Sequence, residues 1–546
     1  MDLGELIADL RRPGAYDPPA WNVVVVQTHI SVVFLAEDRV YKVKKPVDLG
    51  FLDFTTLERR AHFCREEVRL NRRLAPDVYL GVAPIVRRGE RATFGDPLDV
   101  DDGEPPAIDA VDWAVVMRRL PAESTLERWV EEGHVGPYHV AVLGRRIARF
   151  HAAADSGAEI AAWGRFEVVA GNARENLEQA RPHVAGEAGG PGGLTERLLE
   201  RLHRALERRL AALEPLIDKR ARAGVPCDTH GDLHLDHVYL FADRDPPRDI
   251  VIIDCVEFNE RFRFADPVSD IAFLDMDLRY HGRADLTTPL VDAYFDAADD
   301  EEGRRLLSFY SAYRAAVRAK VSGMRAVEPE VPPEERARSI ESARAHWLLA
   351  LGLLEPPARR PALVLIGGLP GTGKSTLASS LGERAGFEVL SSDRTRKRLA
   401  GIDPATPAAA EFGAGLYTGE WNDRTYAALL ETALDGLLDG ERVIVDASFR
   451  EDGRRDAFLA AAADLCVPAV FLRLEAPPRR VRRRIEERGD TPSDADVDIY
   501  EAVAARWEPA TAGTAPHTRV VDTGQSPAWS VEQSLAHLAD LGVWWG

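Results

Sequence analysis

The sequence predicts two fold classes in one chain: an α+β arrangement up to about residue 354, then a doubly wound α/β domain over 362–546. Three observations carry this. Beyond residue 361, five short apolar runs (362–368, 388–393, 442–447, 468–475 and 518–522) alternate with helical stretches, as in a parallel sheet with helical crossovers. Between about 20 and 120, strand-like runs cluster around one helical stretch. From 121 to 354 the pattern is helical, apart from a β-like stretch near 227–256.

The elements follow in order. NVVVVQ, SVVFLAE and RVYKVKK are strands, the last two joined at the turn Glu37-Asp38-Arg39. Leu57, Ala61, Cys64, Val68 and Leu74 fall at helical spacing within 55–74. APIVRRG and WAVVMRRL complete the strand-rich segment, which we bound at 1–120; the helical segment is 121–354. The Pro-rich stretch 355–361 reads as a connector before the last domain, 362–546. A length of 546 residues by itself argues for at least two domains.

Composition narrows the function classes. The 69 basic residues face 89 acidic ones, a net charge of −20, which disfavours a duplex-DNA or anionic-membrane binder. Only seven of the basic residues are lysines (Lys42, Lys44, Lys45, Lys219, Lys320, Lys374 and Lys397), so each asks for a reason. The four cysteines are scattered without a C-x-x-C pair, which points away from a disulfide scaffold or structural zinc. The N-terminal residues lack the apolar core of a signal peptide, and no run is long enough to span a bilayer. A soluble, cytoplasmic protein is expected.

The strongest motif is LVLIGGLPGTGKST at 363–376. Gly368-x-x-x-x-Gly373-Lys374-Ser375 follows a strand and opens a helix, the context in which this spacing binds phosphate. Gly368, Gly371, Thr372, Gly373 and Thr376 would shape and line a loop of backbone N–H donors at a helix N-terminus. Lys374 would reach the β/γ-phosphates and the Ser375 hydroxyl would take a position on Mg²⁺. In VIVDASF, Asp446 follows a buried run and can present a carboxylate to the metal. EVLSSD is read as a strand ending at Asp393, whose carboxylate can accept a proton from an acceptor hydroxyl while Arg396 clamps the acceptor's anionic group. A helix cap followed by a solvated basic turn is the alternative. PPRRVRRRIEERGD carries six arginines from Arg479 to Arg488. A lid supplying charge through Arg483 and Arg488 is weighed against a nucleic-acid patch or a solvated face.

These residues resemble the P-loop kinases of the adenylate-kinase, polynucleotide-kinase and zeta-toxin-like type. The resemblance covers about 360–546 and implies ATP and Mg²⁺ as cofactors, with Asp393 activating the acceptor hydroxyl. It does not choose among nucleotides, sugars and nucleic-acid ends.

Upstream, THGDLHLDHV (229–238) and VIIDCVE (251–257) place His230-x-Asp232 in a loop and Asp254 at the end of an apolar strand. One carboxylate to orient and deprotonate a hydroxyl (Asp232) and one for the metal (Asp254) are what phosphoryl transfer requires. With FADPVSD downstream, where Asp266 and Asp270 read as structural caps, the segment 20–350 resembles the aminoglycoside-phosphotransferase-like kinases. That resemblance implies a bilobal, protein-kinase-like N-terminal domain, with an N-lobe to 120 and a helical C-lobe after it. Lys42, which shares a strand face with Lys44, is the phosphate lysine it implies. Glu67 is the ion-pair partner, with Glu66 the rival, and Met117 marks the hinge that meets adenine. The QTHIS stretch at 27–31 takes the phosphate-covering position without a glycine. His237 stands where the metal-binding Asn of this group is found. Imidazole is a poor ligand for Mg²⁺, so a pseudokinase is the alternative, and His234 is expected to support the loop.

Together the two halves resemble a bifunctional fusion. The expectation is an ATP-dependent phosphotransferase with two nucleotide sites acting on a hydroxyl of a small molecule. A 5′-hydroxyl nucleic-acid end kinase and a ligand-sensing pseudokinase coupled to a P-loop ATPase are the alternatives.

Overall fold

β1 (Val23–Gln27), β2 (Ser31–Ala36), β3 (Arg39–Lys44), β4 (Tyr79–Arg88), β5 (Arg91–Phe94) and β6 (Ala110–Arg118) form one antiparallel sheet in the order β1-β2-β3-β6-β4-β5. The computed structural model describes residues 2–100, 108–184, 192–246, 248–328, 331–403, 416, 418–486 and 497–545. Strand periodicity sorts the two faces of this sheet. Tyr41 and Val43 of β3 join Phe34, Ile85 and Val116 in a core that also takes in Leu6 and Leu10 of the helix Leu3–Leu10. The opposite face carries Val115 and Met117 against Cys64 and Val68 of the helix Leu57–Asn71. By the same alternation Lys42 and Lys44 emerge on the side of that helix.

Grouped by contacts, the chain forms two compact units, one of Met1–Val169 with Leu213–Tyr310 and one of Ala170–Ala212 with Ser311–Gly546. Among the described residues, the first unit adds four short strands: β7 (Cys227–Asp228), β8 (Val238–Leu240), β9 (Ile250–Ile252) and β10 (Phe264–Ala265). They pair antiparallel as β7 with β10 and β8 with β9.

The second unit is built on β11 (Ala362–Gly368), β12 (Glu388–Ser391), β13 (Arg442–Asp446), β14 (Ala469–Glu475) and β15 (Thr518–Asp522). All neighbours are parallel and the order is β12-β13-β11-β14-β15. β11 and β13 are buried on both faces, which explains their unbroken apolar runs. Leaving β11, the chain next builds β12 and β13 on one side and later β14 and β15 on the other. The carboxyl end of β11 is therefore the switch point at which such sheets open a binding crevice.

The stretch 355–361 is not where the units divide, because 170–212 and 311–354 group with 362–546. Polar contacts explain the grouping. Glu355, its side chain fully buried, accepts from Arg201 and Arg208 at 3.3 and 2.9 Å. Arg197 pairs with Asp439 and Glu441 at 3.0 and 2.9 Å, and Arg201 donates to the Gly440 carbonyl. Among the described residues, no helix is long and apolar enough to cross a membrane.

All four cysteines are free. Burial pushes the Cys64, Cys255 and Cys466 thiols up to about 12 and that of Cys227 upward as well. Since the thiolate is the reactive form, Ellman's reagent at pH 8 should titrate little or no thiol in the native protein and all four after denaturation. Rapid reaction of the native chain would contradict this packing.

Candidate functional site

Among the described residues, two clusters of chemically capable side chains stand out, one in each unit. In the second unit, β11 ends in a loop that needs glycine: Gly368, Gly371 and Gly373 have φ of 149°, 78° and 92°. A Cβ on Gly368 would lie 2.8 Å from the Leu474 carbonyl oxygen, so the loop closes only without one. Gly373 is the N-cap of the helix Lys374–Ala385, so Lys374 and Ser375 sit in its first turn, at the positive end of the helix dipole. Buried Thr372 braces the loop by donating to the Leu369 carbonyl at 2.8 Å, and Lys374 Nζ donates to the same oxygen at 3.1 Å. Ser375 and Thr376 are exposed.

Parallel register sets Asp446 level with Ile366 of β11 and Ser391 of β12. Burial pushes the Asp446 carboxyl up, while a hydrogen bond from Ser375 and the charge of Lys374 pull it down and Asp393 pushes it up again. A hydroxyl and two carboxylates gathered beside a phosphate-type loop form a hard-oxygen donor set, which fits Mg²⁺.

Asp393 is not at a strand end. β12 stops at Ser391, whose extended backbone caps the helix Ser392–Leu399, and Asp393 lies in its first turn, 3.0 Å from buried Lys397. Buried Arg396, one turn on, donates to Asn422 at 3.1 Å. The arginine-rich segment is helical over Pro478–Glu486; Arg483 is exposed on it, and Arg488 lies outside the described residues. The side of this helix toward the loop is apolar: a Cβ on Gly371 would meet Val481 and Ile485 at 2.9 Å. Among the described residues, Arg484 comes beside the loop, 4.0 Å from where a Gly373 Cβ would stand, and it also donates to the Thr523 carbonyl at 2.8 Å. The sequence reading missed it, although Val481, Arg484 and Ile485 share a face at i, i+3, i+4.

In the first unit, Lys42 Nζ lies 2.9 Å from Glu67 and 2.7 Å from Asp254. Lys44 Nζ lies 2.7 Å from the other Glu67 oxygen and also contacts Glu257. Glu66 pairs instead with Arg69 at 2.7 Å on the outer side of the helix. Burial works against the Lys42 charge, but Asp254 and Glu67 outweigh it and hold the ammonium well above the usual lysine range. Burial likewise opposes the Asp254 charge, and Lys42 and His237 outweigh it, keeping the carboxyl well below the usual range. Asp254 has φ of 66°, and its N–H and that of Cys255 donate to the Tyr79 hydroxyl and Asn71 Oδ1 at 3.1 and 2.9 Å.

The 229–238 loop faces this group. Buried Asp270 accepts from the N–H of His230 and Gly231 at 2.7 and 3.0 Å, and Asp266 accepts from Val268 and pairs with Arg220. His237 Nδ1 is 2.9 Å from the Asp232 carbonyl oxygen, and its Nε2 is 3.5 Å from Asp254. Met117 pairs with Val40 on one side and Tyr79 on the other, so its peptide groups sit inside the sheet and its side chain in an apolar cluster. Glu257, Tyr79 and Asn71 were not foreseen. Of these only Glu257 left a trace, as a charge closing the apolar run VIIDCVE.

The Lys44 contacts can be tested directly. Removing one partner of a buried pair costs about 3–5 kcal/mol because the other charge is stranded. Lys44→Met should therefore lower stability by that order, and Lys44→Met with Glu257→Met should recover most of it in chemical denaturation. A loss under about 1 kcal/mol for the single variant would show the pair to be solvated.

Residues 363–510 match the AAA domain family. The chain is 33% identical over 482 residues to the uncharacterized proteins Rv2004c of Mycobacterium tuberculosis and Mb2027c of Mycobacterium bovis, covering 88% of this chain and 89% of each relative. Solved structures similar to it include a gluconokinase from Sinorhizobium meliloti (23% identity, 34% of this chain and 95% of that one, TM-score 0.26). A sugar kinase from Janibacter sp. is another (20% identity, 34% of this chain and 96% of that one, TM-score 0.27). On the near full-length identity, the chain belongs to the family of these mycobacterial proteins, with an AAA-type P-loop domain in its C-terminal part.

Proposed function

We propose that this chain is an ATP-dependent phosphotransferase with two nucleotide sites, moving the γ-phosphate of ATP to a hydroxyl of a small molecule. The observation that carries it is the glycine loop at the carboxyl end of β11, with Lys374, Ser375 and Asp446 gathered beneath it. Loop N–H groups and Lys374 would hold the phosphates, the arrangement that suits charge in flight. Ser375 and Asp446 would hold Mg²⁺, which when bound neutralises phosphate charge. Asp393 would accept the proton of the incoming hydroxyl, and Arg396 would orient an anionic group of the acceptor. The net charge of −20 favours a small acceptor over a nucleic-acid end.

The aminoglycoside-phosphotransferase-like reading of the first unit draws support from its six-stranded sheet, the Lys42–Glu67 pair and the approach of the 229–238 loop to Asp254. There Lys42 would contact phosphate, Asp232 would serve as proton acceptor, and Asp254 with His237 would face the metal. His237 also favours a second reading, in which this unit senses a ligand and gates ATP hydrolysis by the other.

Metabolite pools incubated with γ-labelled ATP separate the two. Label should appear in an organic acceptor, and Asp446→Ala should cut transfer by roughly 100-fold or more. An equal loss with Asp232→Ala alone would assign transfer to the first unit. Label released only as inorganic phosphate would refute transfer and leave the sensing reading.

A further inference from the structure

Two lysines meet Glu67, and phosphate transfer in the first unit gives a task to only one of them. Lys42, its side chain 17% exposed, stands beside Asp254, 41% exposed, where a ligand can reach its ammonium. Lys44 is beyond such reach. Its side chain is fully buried between Glu67 and Glu257, with the ring of buried Phe54 4.9 Å from Nζ. A methionine of similar volume would fill this place without desolvating a charge. The charge of Lys44 therefore asks for a purpose.

The two lysines hold Glu67 in different ways. Lys44 donates a hydrogen bond to Glu67 Oε2 at 2.7 Å. Lys42 faces Oε1 at 2.9 Å, yet among the described residues Oε1 accepts no hydrogen bond of good geometry. Lys44 thus fixes the carboxylate, while Lys42 is attracted to it without being locked. Lys44 also donates to Glu257, three residues past Asp254. Between them, the N–H groups of Asp254 and Cys255 are held by Tyr79 and Asn71. Neither Glu67 nor the segment carrying Asp254 depends on Lys42 for its place.

We propose that Lys44 is a positioning residue for nucleotide phosphates in the first unit: it holds Glu67 and the Asp254 segment still, so that Lys42 can turn from them to a phosphate oxygen. The proposal rests on the reading of this unit as a nucleotide site. Without Lys44, Glu67 would be a buried carboxylate left with one countercharge, and it would hold that ammonium back from phosphate.

The experiment uses the full chain carrying Lys374→Ala, which removes the lysine charge from the phosphate loop of the second unit. It is titrated with magnesium and the non-hydrolysable analogue AMP-PNP by calorimetry, and with adenosine by saturation-transfer NMR. Because Lys44→Met alone loses stability, the deciding variant joins it to Glu257→Met, and melting curves check that this variant folds. It should bind AMP-PNP roughly 10–100-fold more weakly, the range of one hydrogen bond to a charged group, and adenosine as the parent does. Lys42→Ala should show the same selective loss. A measurement without variants in the first unit is also at hand, since the chain has only seven lysines. In lysine-labelled protein, AMP-PNP should shift the side-chain signal of Lys42 and leave that of Lys44 in place.

Unchanged AMP-PNP affinity in the double variant, with Lys42→Ala impaired, would overturn the proposal alone and make Lys44 a structural residue. An equal loss of adenosine binding, or a Lys44 signal that moves as far as that of Lys42, would overturn it as well. No AMP-PNP binding in the Lys374→Ala background, or binding indifferent to Lys42→Ala, would overturn the nucleotide reading of this unit and the proposal with it.

Discussion

A charge taken out of water has to be met by another, and in the first unit that demand converges on Glu67. Its two oxygens face Lys42 and Lys44 of β3, and those lysines reach on to Asp254 and Glu257 beyond β9. Sheet, helix and the loop after β9 are thereby tied at one point from three separate parts of the chain. Burial pulls against the Glu67 charge, but the two ammonium groups outweigh it and hold the carboxyl below its usual range. Removal of either lysine therefore disturbs more than a local contact. The second unit obeys the same constraint with a lighter hand: buried Asp446 is answered by the Ser375 hydroxyl and the Lys374 charge.

The shapes of the buried cations fit the carboxylates they meet. Arginines take places where a planar fork meets fixed oxygens, as Arg220 does between Asp266 and Asp300, or Arg60 against Asp112. A compact ammonium serves where one charge is shared between carboxylates at different angles, the situation of Lys42 and Lys44. Lys397, buried beside Asp393, has a related task. Lys219 and Lys320 have plainer surroundings, the first against the Glu302 carboxylate and the second against the Asn176 and Gln179 amide oxygens.

What could be read before the structure was known depended on how local each feature is. The five parallel strands were legible because doubly buried strands read as unbroken apolar runs, and the phosphate loop because its glycines, lysine and serine are contiguous. β5, only four residues long, and the N-terminal helix Leu3–Leu10 left too faint a pattern. Asp393 was set one element early because a capped helix begins directly where β12 ends. Glu67 could be named only through the kinase resemblance, with Glu66 as its rival, and its second lysine, Glu257 and the Tyr79 hydroxyl arise from folding distant segments together. The grouping of 170–212 with the C-terminal sheet was invisible for the same reason: it rests on arginine pairs such as Arg201–Glu355, 154 residues apart.

The left-handed backbone at Asp254 has a further consequence, for which residues the chain can accept there. With φ of 66°, the position suits glycine, asparagine and aspartate and penalises other side chains whatever their chemistry. An alanine at this point would confound a lost carboxylate with a disturbed turn, unseating the N–H groups that reach Tyr79 and Asn71. Asparagine keeps the shape and removes only the charge. The substitutions open to natural variation at this carboxylate are therefore narrowed by backbone geometry before any selection on chemistry begins.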